Sequence, residues 1–100
     1  MNDIYHALLN FELRKLPDDH LKDYSVICSD ASHAITCALR LIGSLMIEAN
    51  ASEDYDGEDA QRDLYLMGAV LRNLPRIAEA LDQNCHSADH ELRLRQGGDL

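Results

Sequence analysis

Between Ile35 and Ala49, apolar side chains recur every third or fourth residue: Ile35, Leu39, Ile42, Leu45, Met46 and Ala49. A helix turns once in about 3.6 residues, so this spacing stacks them on one face, whereas a strand would scatter them over both. Ala34, Ala38 and Leu41 widen the face until apolar residues wrap more than half of the helix. A helix of this kind needs other elements to cover it. Ser29 or Asp30 can cap its start, because a short polar side chain accepts the free N–H groups of the first turn. Extended through Asn50, it is the expected central element, about 30 Å long at a rise of about 1.5 Å per residue.

The flanks carry the same period. Ile4, Leu8 and Phe11, with Tyr5, Leu9, Leu13 and Leu16, predict a first helix capped by Asn2 or Asp3 and stopped by Pro17, since the residue before proline is pushed out of helical geometry. PDDHLKDY then reads as a polar connection with room for one helical turn, and SVIC as a short strand or an apolar loop. Downstream, Leu64, Met67, Val70 with Leu71, Leu74, Ile77 with Ala78, and Leu81 predict a third helix containing Pro75. Proline lacks an amide donor and collides with the preceding turn, so a kink or break is expected near residues 72–74. The expected fold is therefore all-α: one domain over residues 1–100, three main helices in a small bundle, with a polar tail fraying after about residue 96 where Gly97 and Gly98 end the pattern.

With 100 residues, the chain can bury only about 60–65% of its unfolded surface. Eighteen acidic residues against nine Lys and Arg leave a formal charge of −9, which repels nucleic acid and anionic membranes and favours basic protein partners. Arg72 and Arg76 make one i, i+4 pair and Arg93 and Arg95 sit in the tail, so no basic stripe for direct nucleic-acid binding exists. His33, Arg40 and Glu48 interrupt the central apolar helix, which argues against a membrane span, and the N-terminus lacks the basic flank and apolar run of a signal peptide. Cys28, Cys37 and Cys85 lack CxxC spacing and read as reduced thiols of a cytoplasmic chain, with Cys37 in the core.

One stretch concentrates the charge. SEDYDGEDAQRD, residues 52–63, holds six carboxylates and one arginine, so it contributes −5 of the total. Aligned as a calcium loop with Gly57 at position 6, it offers Ser52, Asp54, Asp56 and Asp63 at positions 1, 3, 5 and 12. Position 1 then lacks a carboxylate, position 12 has the shorter Asp, and Asp59 occupies the normally apolar position 8. The better account is a helix-to-helix corner, with Asp56-Gly57 as turn chemistry and Glu58 and Asp59 favoured by the dipole of the next helix. Cys85, His86, Asp89 and His90 form the other cluster of ligand types, but with no second anchoring pair they make no closed zinc site. No GxSxG, Gly-rich phosphate loop or HExxH occurs, so no metal site, cofactor or enzymatic activity is expected.

The stretch SHAITCALRLIGSLMIEANASEDYDGEDAQRDLYLMGAVLRNLPRIAEAL resembles a family of small helical proteobacterial proteins of pseudomonad type, in which an Ala- and Leu-rich helix meets a second across a short polar turn. That resemblance brings no activity with it. In size and acidity the chain is also similar in type to phage-encoded anti-CRISPR inhibitors. The leading expectation is a non-enzymatic binding protein whose carboxylates Glu53, Asp54, Asp56, Glu58, Asp59 and Asp63 cover a basic, nucleic-acid-binding surface of a protein partner. The alternative is a homodimeric helical module with Leu41 in the interface; a metal-dependent switch comes third.

Overall fold

The computed structural model describes residues 3–97. It is all-α, with no strand among the described residues: α1 (Ile4–Leu8), a 3-10 turn (Leu13–Lys15), α2 (Asp18–Ala51) and α3 (Gly57–Arg95). α2 and α3 run antiparallel as one long hairpin, and the N-terminal segment folds back on its open end.

The hairpin is longer than the sequence patterning suggested. α2 does not begin at Ser29 or Asp30; both lie inside it, and its N-cap is Pro17. Residues 18–28, expected to be a connection with at most one helical turn and then a strand or loop, are continuous helix. Asp18 and Asp19 lie in the first turn, where negative charge meets the positive end of the helix dipole. The buried positions Leu21, Ser25 and Cys28 then lead into Ser32, Ile35, Leu39, Ile42, Met46 and Ala49 with alternating steps of four and three. α3 answers with Ala60, Asp63, Met67, Val70, Leu74, Ile77, Leu81, Asn84 and Ala88, spaced by three and four. Both are heptad seams, the spacing that keeps two helices in contact over many turns. Polar residues at Ser25, Ser32, Asp63 and Asn84 disguise the repeat in the sequence.

α3 passes through Pro75 without a break. It also takes in most of the polar tail, ending at Arg95, with Gly97 in the left-handed region at φ 93°. A glycine there carries no Cβ penalty and closes the helix. The expected fraying beyond it falls on residues 98–100, outside the described residues.

The first helix is a correction of larger consequence. It ends at Leu8 and not at Leu16, leaving Phe11 exposed. Asp3 is its N-cap, accepting from the His6 N–H; Asn2 lies outside the described residues. The helix stops because α3 supplies a better partner for its backbone. Asn84, only 3% exposed, accepts from the Asn10 N–H (2.9 Å) and donates from Nδ2 to the Leu8 carbonyl (3.0 Å). Asn10 Oδ1 accepts from the Glu12 N–H (2.8 Å), and its Nδ2 donates to the Tyr24 hydroxyl of α2 (3.2 Å). Arg95 closes the far side of the arm, donating to the carbonyls of Leu16 (2.7 Å) and Arg14 (3.0 Å) and to Asp18 (2.9 Å). Arg76 holds α1, donating to Asp3 (2.6 Å) and lying 4.3 Å from the Tyr5 ring centroid.

The core follows this arm. Leu13, Leu21 and Ala88 form it, with Leu16, Tyr24 and Leu92 packed against them. Cys28 is the buried thiol, and Cys37, expected in the core, is exposed. The chain is drawn out to 63 × 26 × 20 Å with a radius of gyration of 18.6 Å. A compact chain of this length has about 13 Å.

Asn84→Ala is expected to destabilise the chain by about 2–3 kcal/mol in urea melts, because it strands the Asn10 N–H and the Leu8 carbonyl at once. Arg76→Met tests the second clasp. The Arg76 guanidinium holds the Asp3 carboxyl well below the usual carboxylate range. A carboxylate depressed by folding stabilises above its unfolded value and loses that contribution as pH falls through the folded one. The stability gap between wild type and Arg76→Met should therefore persist at neutral pH and close in strong acid.

Candidate interaction surface

The acidic stretch forms the tip of the hairpin, and the structure divides its six carboxylates by role. Asp56 caps α3, accepting from the Asp59 N–H at 2.8 Å. Asp59 pairs with Arg62 at 3.4 Å. Asp63 lies in the seam, where it accepts from the Tyr55 hydroxyl (2.6 Å) and from Arg62 (3.3 Å). The Tyr55 hydrogen bond holds the Asp63 carboxyl below its usual range, and the same bond raises the Tyr55 phenol. Three carboxylates therefore build the corner. Glu53, Asp54 and Glu58 are exposed, and none is in an ion pair among the described residues.

The calcium-loop arrangement is not formed. Gly57 begins α3 and makes no left-handed turn, while Asp63 is turned into the seam. The Cys85 cluster is split in the same way. Ser25 Oγ donates to Asp89 Oδ1 (2.6 Å) and lies 3.4 Å from Cys85 Sγ, forming a strut between α2 and α3. His86 and His90 are on the outside, with His86 hydrogen-bonded to the Asp82 carbonyl. Burial raises the Cys28 thiol, so it stays protonated at neutral pH.

Little of the hairpin is covered, which local spacing in the sequence does not reveal. Among the described residues, every buried one lies within 13–28 or 78–88; from Ser29 to Ile77 there is none. Two helices touch along one line, and each keeps its remaining surface in solvent. Leu41, placed in an interface from the sequence, is 61% exposed, and Ile47 (74%), Leu64 (68%) and Tyr65 (81%) are more so. Near the tip the helices leave an open groove of about 650 Å³, lined by Ile42, Leu45, Met46, Ala49, Leu64 and Met67 among others. The signal was present in the apolar belt of α2, which is too wide for one partner helix. By length and composition α2 could also cross a membrane, with an 18-residue window of mean hydropathy 1.3, none of it buried.

No family model, curated protein or solved structure matches the chain. One local feature is open to direct measurement: Asp63→Asn should let Tyr55 ionise at lower pH, visible as a shifted tyrosinate transition in an alkaline absorbance titration. An unshifted transition would mean that Tyr55 and Asp63 do not meet.

Proposed function

We propose that the chain is a non-enzymatic interaction module, a helical hairpin clamped at its base that docks onto protein through its distal half. One observation carries the reading: between Ser29 and Ile77 no side chain is buried, while large apolar residues lie open on both helices. Single exposed apolar residues are ordinary, but a contiguous field of them marks an interaction site. Because the core lies at the other end, the distal half can engage a partner without disturbing what holds the hairpin together. Hydroxyl-radical footprinting in a lysate of cells producing the chain is expected to label Leu45, Leu64 and Tyr65 several-fold less than in the dilute purified chain. The Leu45→Glu, Leu64→Glu double variant should restore labelling at Tyr65, the reporter it keeps, with its helical signal intact. Equal labelling of the wild-type chain in both conditions would overturn the reading.

A second reading is favoured by the unpaired tip carboxylates. Glu53, Asp54 and Glu58, carried on a helical corner, are suited to occupy a basic protein groove that otherwise takes phosphates, which makes the chain an inhibitor. Charge reversal at these three residues leaves the Asp56 cap and the Asp63 bond in place. It is expected to release a basic partner, and release by salt should parallel it, since exposed charges are screened within about 8 Å at physiological ionic strength. Binding that survives both treatments leaves the apolar surface as the sole contact.

A further inference from the structure

We infer that the occupant of the distal surface is a second copy of this chain, laid antiparallel so that each acidic tip lies beside Arg40 and Arg72 of the other hairpin. The inference rests on the docking surface proposed above and adds its partner and register.

A folded monomer of 11.2 kDa is expected to expose about 5,700 Å² from the scaling of surface with mass. This chain exposes 7475 Å², an excess on the order of 1,800 Å² over that scaling. A standard specific interface takes about 800 Å² from each partner, and obligate dimers take more. The excess is of the size that an obligate pairing removes. Two hairpins packed over their distal halves make a four-helix bundle, giving each helix the neighbours that a lone hairpin lacks.

In a parallel pair the two tips, each carrying −5 over residues 52–63, would meet. Antiparallel pairing separates them and brings each toward exposed cations. Arg40 precedes Ser52 by 12 positions and Arg72 follows Gly57 by 15, so both sit about 20 Å below the tip at about 1.5 Å per residue. Both are exposed, and among the described residues neither is in an ion pair, whereas Arg62, Arg76 and Arg95 are each committed to carboxylates.

This register also fixes where the two-fold axis lies. Halfway between tip and arginines lies about 10 Å from the tip, the level of Ile47 and Leu64. Those two residues and Tyr65 are the most exposed large apolar side chains of the distal half. The open groove lies at the same level. In an isologous contact the residues at the axis meet their own copies, so Leu64, which lines the groove, would meet Leu64 of the other hairpin there. Charge and apolar exposure point to one register independently.

The test combines sedimentation equilibrium with charge complementation. At low micromolar concentration the wild-type chain is expected to sediment at twice its 11.2 kDa mass. The tip-reversed variant (Glu53→Lys, Asp54→Lys, Glu58→Lys) and the waist-reversed variant (Arg40→Glu, Arg72→Glu) should each lose at least about tenfold in self-affinity, since each sets like charges against each other. Mixed in equal amounts, they should recover the dimer. A dimer indifferent to both reversals overturns the register and leaves the distal surface standing. A monomeric chain overturns the second copy. Protection of Leu64 in lysate would then identify a different protein as occupant, and flotation with phosphatidylcholine vesicles would identify a bilayer. A monomer with no protection overturns the docking surface as well.

Discussion

The Asn84 carboxamide is the contact on which the arrangement depends. It sits in the seam of α3 at a position where a coiled coil would ordinarily place an apolar residue, and it spends both of its polar atoms on the N-terminal arm. A buried amide is tolerated only when its hydrogen bonds are made. Here they are made by the backbone on either side of Leu9, which ends α1 and turns the arm across the base. Without that turn Leu13 and Leu16 would not reach Leu21, Ala88 and Leu92, and the chain would have no closed core. Arg95 and Arg76 reinforce the same closure from the two ends of the arm, each joining residues more than seventy positions apart.

This concentration of contacts at one end determines what the other end can be. Two helices packed alone can bury one stripe each, and the arm reaches only the base. Beyond it the seam continues through Ile35, Leu39 and Ile42 on α2 and Met67, Val70 and Leu74 on α3, all of them half-buried. The distal hairpin is thus ordered by its heptad register while remaining unfinished as a hydrophobic core. In the assembly we propose, the apolar field would supply affinity and the charges would restrict which orientations are permitted.

The helices themselves were legible because their signal is local. Spacings of three and four in residues 35–49 and 64–81 announce helices whatever lies around them. The acidic corner was also legible, since Asp56 caps α3 through a bond three residues long. Errors arose where a polar residue stood at a seam position. Ser25 and Cys28 hid the lower half of α2, and the segment was read as a connection because its partners, Cys85 and Asp89, are sixty positions away. Leu9, Leu13 and Leu16 extended the helical pattern of the N-terminus, and nothing local reveals that Asn84 will claim the backbone there. Of the six acidic residues singled out, the sequence could not separate Glu53, Asp54 and Glu58, which face solvent, from Asp56, Asp59 and Asp63, which build the corner.

The sequence by itself determined the all-α class, the corner between two amphipathic helices and the concentration of negative charge there. These follow from periodicity, capping and composition, which act within a few residues of one another. Only the tertiary structure decided where the first helix stops, which cysteine is buried, that the core occupies the base alone, and that the apolar belt of α2 is left open around Leu41 and Ile47. Those outcomes depend on contacts between residues far apart in the chain and on how many helices are present to share one apolar face. Each helix advertises a surface that wants covering, but whether the chain can cover it is a property of all its elements packed together.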